Sequence, residues 1–312
     1  MGPFLPSFSH VALEIGAFRT ILLLSSIKCE AMDQINFNAW IDRTETFSGA
    51  ISEQTAKQIH TVLGKAASAP LADGSPLPSL WHWFAFPSAF PATDLHEDGN
   101  GQISELIPPM GQNRRVSTEG HLEFIQPLKV GETLGRSTQV ANVERFGDGE
   151  KERFRISLDH QIHGDAGLCV LERQQIDYLP IPGDEPDIAL QTVPCGLDID
   201  EPYSLSTPLL FRYSALTFNA HRIHYDLPYA QNIEKYPDIV VQPQLQANLL
   251  MDLATRHRGS APMFFSYRNL HPLFSRDALR LQVVRHAPEE WHLYSVVDDR
   301  HPCMQATAIW ED

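Results

Sequence analysis

Residues 218–226 read FNAHRIHYD. Two imidazoles, His221 and His224, stand three positions apart, with Asn219, Arg222 and Asp226 around them. Histidine is the side chain whose ordinary pKa lets it give or take a proton near neutral pH. Three readings of the stretch compete: a metal clip, an acid–base site, and a solvated polar loop. A zinc site needs three or four ligands, and no cysteine or acidic ligand pattern stands nearby. No metal is therefore expected.

The segment downstream of the loop favours acid–base chemistry. Pro243 opens PQLQANLLMDLATRHRG, in which Leu245, Leu249 and Leu253 share one face, with Leu250 and Ala254 beside them. Proline suits the first helical position and Gly259 the stop. Arg256, His257 and Arg258 are cations at the end where the helix dipole favours them. The first amides of a helix have no partner within it, so this N-terminus can stabilise developing negative charge. A histidine that moves a proton beside an oxyanion-holding helix end meets the needs of adding water across an α,β-unsaturated thioester, or of removing it.

The rest of the chain reads as two halves of one kind. IQPLKVGETL (125–134) and LHPLFSRDAL (270–279) share apolar, x, Pro, Leu, three x, acidic, x, Leu. Pro127 and Pro272 stand 145 positions apart (272 minus 127), as do Leu134 and Leu279. So long a period predicts a duplicated domain rather than a solenoid. After each copy come three alternating segments: TLGRSTQVANVERF, KERFRISLDHQIH and LCVLERQQIDYL, then ALRLQVVRHA, WHLYSVVDD and CMQATAIW. Each set predicts an antiparallel meander, the first with a turn at 147–150. SEQTAKQIHTVLGKA and SLWHWFAFPSAF offer weaker helices in the first half; Trp81, Trp83, Phe84 and Phe86 are read as core. The expected fold class is α+β, with each sheet curled around a helix. Residues 1–31 are expected to be a non-structural extension, 32–180 the first half, 181–205 a proline-rich linker, and 206–312 the second half.

Composition is ordinary for a globular protein, 43% hydrophobic and 20% charged. A net charge of −15 argues against nucleic acid as the main partner. The apolar run Ile21–Leu24 is too short to span a membrane. Four cysteines without CxxC spacing suggest a reduced compartment, so the chain is expected in the cytoplasm, or in the mitochondrial matrix of a eukaryote.

The stretch RYSALTFNAHRIHYD, with PSLWHWFAFPSAFP, GHLEFIQPLKVGE and RNLHPLF, resembles the MaoC-like hydratase/dehydratase family, over nearly the whole chain from Met32. That resemblance implies a double hot-dog fold with a degenerate first half and a catalytic second half. The subgroup it most resembles includes mesaconyl-CoA and itaconyl-type hydratases and mitochondrial 3-hydroxyacyl-thioester dehydratases. In the family motif, Thr217, Ile223, His224 and Asp226 match. The family's catalytic Asp falls on Asn219, its Asn on His221 and its Pro on Arg222. Asn219 is then expected to orient water or the His224 imidazole, and His224 to carry the acid–base work with His221. The family's His-Gly step is Gln242-Pro243 here. Proline has no N–H, so the amide of Gln244 or Leu245 must hold the enolate oxygen.

A CoA thioester is the expected substrate, with no cofactor besides it and a homodimer as the expected assembly. Arg114, Arg115 and Arg222 are candidates for the CoA phosphates. Arg222 or Arg268 is the candidate cation for a dicarboxylic acyl group. The rival readings are a non-catalytic acyl-CoA-binding hot-dog protein and a thioesterase, for which Asp252 would be the carboxylate.

Overall fold

The Pro-Leu repeat marks two equivalent strand connections. In the computed structural model, which describes residues 36–64, 71–101, 106–108, 110, 114–147, 152–181, 193, 196–297 and 301–311, the first copy joins β2 (Arg114–Phe124) to β3 (Thr133–Phe146), and the second joins β7 (Phe264–Asn269) to β8 (Leu279–Arg285). Matched leucines are buried in both copies: Leu128 with Leu273, and Leu134 with Leu279. Each connection pairs with the segment ahead of the half's helical region. Leu77 N–H donates to Leu128 in the first half, and Val241 N–H to Leu273 in the second.

The remaining strands are β1 (Thr44–Ala50), β4 (Arg153–Gly164), β5 (Gly167–Leu179), β6 (Ile199–Tyr203), β9 (Glu290–Val297) and β10 (His301–Ile309). They form one antiparallel sheet in the order β1-β3-β4-β5-β2-β7-β10-β9-β8-β6. Its two halves mirror each other strand for strand, and both meanders form as the alternation predicts. The join is the β2–β7 pair, where Gly120 faces Tyr267. A Cβ on Gly120 would lie 2.3 Å from the Tyr267 ring, which is itself buried. Glycine lets the two halves meet at this point.

The helices are α1 (Glu53–Val62), α2 (Thr207–Leu216), α3 (Leu227–Asn232) and α4 (Pro243–Arg258). As expected, α4 has Pro243 in its first turn and Gly259 in the left-handed conformation at its end. It buries Leu245, Leu249, Leu250 and Leu253 against the curled sheet. Arg256 and His257 meet Glu201 on β6. The first half differs. Where α4 stands in the second, PSLWHWF gives only a 3₁₀ turn, Trp81–Phe84, whose Trp81 and Phe84 are core.

The linker reading needs correction, because residues 199–203 are an edge strand. Ile199 is buried and pairs across from Val283, and edge position tolerates Pro202. The expectations for residues 1–31, for the turn at 148–150 and for most of 182–195 fall outside the described residues. Among the described residues no helix is long and apolar enough to cross a membrane.

Gly120→Ala is expected to lower stability by about 1–3 kcal/mol, the usual cost of overpacking a closed site. Urea unfolding checks it; an unchanged midpoint would show that the β2–β7 join has room to spare.

Candidate active site

The histidine loop is fixed from within. Ser214 carbonyl accepts from Asn219 N–H, and Asn219 Oδ1 accepts from His221 N–H at 3.0 Å. Phe218 takes a positive φ of 52° to make the turn. A 3₁₀ turn, Arg222–His224, comes next. Asp226 caps α3, accepting from Tyr229 N–H at 3.1 Å. The motif's last acid is therefore structural here, and it also holds Arg222 at 2.8 Å.

His224 is buried and lines a cleft of about 970 Å³ between the halves. Its Nδ1 lies 2.8 Å from the Val240 carbonyl oxygen. A carbonyl only accepts, so Nδ1 must carry the proton and Nε2 is left with the lone pair. Burial, with the neighbouring His221, pushes the His224 pKa down to about 3, against the opposing pull of the Val240 hydrogen bond. The ring is a neutral base at physiological pH.

His221 stands edge-on to His224, ring centroids 5.4 Å apart. Its Nε2 meets Glu234 Oε1 at 3.3 Å. Glu234 is buried, and Arg114 Nε donates to its Oε2 at 2.9 Å. The Arg114 guanidinium also stacks over Tyr236 at 4.2 Å and donates to the Glu234 backbone carbonyl. A carboxylate thus stands behind the histidines although the loop itself carries Asn219. Sequence reasoning missed Glu234, ten residues beyond His224 and brought back by α3.

Val240 leads into α4. Gln242, the residue ahead of the helix, makes no side-chain cap; its Nε2 donates to Leu210 O and Ser214 Oγ. Leu245 N–H turns back to Gln242 O at 3.1 Å. That removes Leu245 from the two candidate oxyanion donors, because a donor already spent cannot serve the substrate. Gln244 lines the cleft, and its N–H meets no acceptor among the described residues.

The arginine candidates separate. Arg115 lines the cleft and forms no ion pair among the described residues. Arg114, its neighbour on the strand, points the other way and is spent on Glu234. Arg222 is outside the cleft lining, bound to Asp226 and the Glu97 carbonyl and stacked on Tyr229. Arg268 is exposed on β7 and paired with Glu119 at 3.1 Å. Neither is placed to read an acyl group in the cleft. Asp252 also lies outside that lining, 3.2 Å from Arg256, so the carboxylate of the thioesterase reading is not at the site.

The cleft's far wall comes from the first half. Arg136 on β3 and His160 on β4 line it. Both share a strand face with buried residues: Leu134, Thr138 and Val140 around one, Ile156, Leu158 and Ile162 around the other. A charged or polar residue on an otherwise apolar strand face was the signal that could have found them. Among the described residues no group of three or more His, Cys, Asp or Glu could hold a metal.

Comparison with known proteins agrees with this fold. The family model described as hydroxyacyl-thioester dehydratase type 2 matches residues 80–275. The mesaconyl-C(4)-CoA hydratase of Chloroflexus aurantiacus is 37% identical over 254 residues, covering 80% of this chain and 89% of that one. The mitochondrial hydroxyacyl-thioester dehydratase type 2 of Schizosaccharomyces pombe is 25% identical, covering 64% and 75%. Among solved structures, a MaoC-like dehydratase from Phytophthora capsici superposes with a TM-score of 0.64 at 12% identity, over 89% of this chain and 99% of that one. A Mycobacterium tuberculosis protein described as having a double hotdog fold gives 0.53 at 13%, over 86% and 96%. The double hot-dog architecture is borne out.

His224 and His160 have folded pKa values near 3 and 4, against 6.5 for free imidazole, both pushed down first by burial. A depressed pKa means that unfolding takes up a proton wherever the free imidazole is charged. Stability is then full above about pH 6.5 and is lost as pH falls, toward about 4 for His160 and about 3 for His224. Near pH 5 the two groups together give a slope of about 2.5 kcal/mol per pH unit. Urea titrations across that range check this; a flat profile would mean that the rings are not held neutral.

Proposed function

Because this chain belongs to the hydroxyacyl-thioester dehydratase type 2 family of hydro-lyases, we propose that its cleft adds water to a short α,β-unsaturated acyl-CoA, or removes it, with protein side chains and no cofactor. The observation that carries this is the His224–Val240 hydrogen bond, which leaves Nε2 as a base in the cleft. In the hydration direction His224 Nε2 takes a proton from water as the water oxygen attacks the β carbon. The π electrons move onto the thioester oxygen, where the Gln244 amide stabilises the enolate. The proton that His224 Nε2 took from water then goes to the α carbon, which restores the neutral imidazole, and His221, braced by Glu234, stands beside His224. Asn219 holds the loop through its Oδ1 and lines the cleft, where its amide nitrogen can meet the water. Arg115 is the cation left for the CoA phosphates.

The Chloroflexus aurantiacus relative is named for mesaconyl-C(4)-CoA, a thioester of a five-carbon dicarboxylic acid. We assign this chain a dicarboxylyl-CoA of that kind, mesaconyl- or itaconyl-CoA. The Schizosaccharomyces pombe relative, named for a hydroxyacyl thioester, favours such a thioester as the second reading.

Incubation with crotonyl-CoA and mesaconyl-CoA tests the reaction. Loss of enoyl absorbance without free thiol is expected. Thiol release would mean hydrolysis, and no change with CoA binding intact would mean a binding protein. His224→Ala should cut kcat about 10²–10⁴-fold, the usual contribution of a positioned acid–base group. Retained turnover in that variant would remove His224 from the mechanism.

A further inference from the structure

Among its described residues the first half of the chain has no counterpart of α4, yet it holds a buried polar network. Glu172 on β5 is at its centre. Its Oε2 meets His82 Nε2 at 3.0 Å, and its Oε1 accepts from Trp83 Nε1 at 2.9 Å and Gln174 Nε2 at 2.6 Å. Burial works to raise the Glu172 pKa, but the His82 hydrogen bond and the surrounding groups hold it at about 2. The carboxylate is charged and both its oxygens are taken.

Two polar atoms above this network have no partner. Arg136 Nε and His160 Nε2 are both buried with no partner at hydrogen-bond distance, although the Gln174 side chain stands near the His160 ring, and both residues line the cleft that holds His224. His160 is only 6% exposed. Its Nδ1 lies 2.8 Å from Thr138 Oγ1, so a Thr138 hydroxyl donating there leaves Nε2 as an N–H with no acceptor at full hydrogen-bond distance. Arg136 is held rigid between the Phe47 and Phe86 rings, at 4.3 and 4.9 Å. The charges of Glu172 and Glu45 act on Arg136, and Glu45 Oε2 is itself buried without a partner. Neither carboxylate forms an ion pair with the guanidinium. A fixed cation and an imidazole that lack acceptors in one cleft are costly unless a ligand supplies them.

We propose that Arg136 Nε and His160 Nε2 bind the free carboxylate at the far end of a dicarboxylyl-CoA, making the degenerate half the determinant of acyl specificity. This rests on the acyl-CoA reading of the cleft but not on turnover. It also replaces the two surface arginines, Arg222 and Arg268, that the sequence alone suggested for the same task.

Binding of two saturated four-carbon thioesters, succinyl-CoA and butyryl-CoA, tests it by calorimetry. They differ in a terminal carboxylate, and neither can be hydrated. The protein should prefer succinyl-CoA at least about tenfold, in line with charge-assisted hydrogen bonds. Arg136→Met should erase that preference by weakening succinyl-CoA, with butyryl-CoA in the same variant as the reference for an intact cleft. Arg136→Lys and His160→Gln should each retain part of it, and they decide the matter if Arg136→Met does not fold. Equal affinities in the unaltered protein, or a full preference surviving in Arg136→Met or in both milder variants, would overturn the assignment. Because binding needs no chemistry, a failed hydratase assay and a failed carboxylate site are told apart.

Discussion

The site depends on a two-way backbone clasp at Val240. Its N–H donates to the Ile223 carbonyl at 2.9 Å, and its own carbonyl accepts from His224 Nδ1 at 2.8 Å. The first bond fastens the histidine loop to the segment that launches α4. The second fixes which nitrogen of His224 is basic. A few residues further along, Pro243 starts the helix, and the Gln244 amide is left over. Base and oxyanion donor are thus positioned by one short segment. Val241 in turn bonds Leu273 in the Pro-Leu connection, so the site is anchored to the sheet.

The two halves divide the work. The second half keeps the long helix, the histidines and the free amide. In the first half a 3₁₀ turn stands where α4 does in the second, and the Trp81 and Phe84 side chains fill the core there. What it contributes is a wall. Arg136, Thr138 and His160 stand on strand faces that are otherwise packed core, so their polar atoms are confined to the cleft. The join at Gly120 and Tyr267 lets the two sheets run on as one, and the wall and the histidines then face a common space.

Most of the fold was legible because hydrophobic period and turn residues are local. The alternating segments became the two meanders, and Pro243 and Gly259 bounded α4 as their chemistry requires. The edge strand 199–203 was hidden by its prolines and acids, which an edge tolerates and a central strand would not. At the site, His224 was legible from its setting. Glu234 was not, because a buried carboxylate is identified by its partners, and Arg114 lies 120 positions away. Adjacent arginines are a similar case. Arg114 and Arg115 look alike in sequence, but neighbouring strand residues face opposite ways, and only Arg115 reaches the cleft. Leu245 was a plausible donor until the first turn of α4 closed on Gln242.

The central claim is that His224 waits as a neutral imidazole, protonated on Nδ1 and basic on Nε2. Nitrogen-15 NMR of the imidazole rings, with His224→Gln as the assignment control, reads this directly. Between about pH 5 and about pH 8, where a free imidazole would titrate, the His224 pair should hold the shifts of the neutral Nδ1–H tautomer throughout. An imidazolium in that range, or an Nε2–H tautomer, would contradict the account.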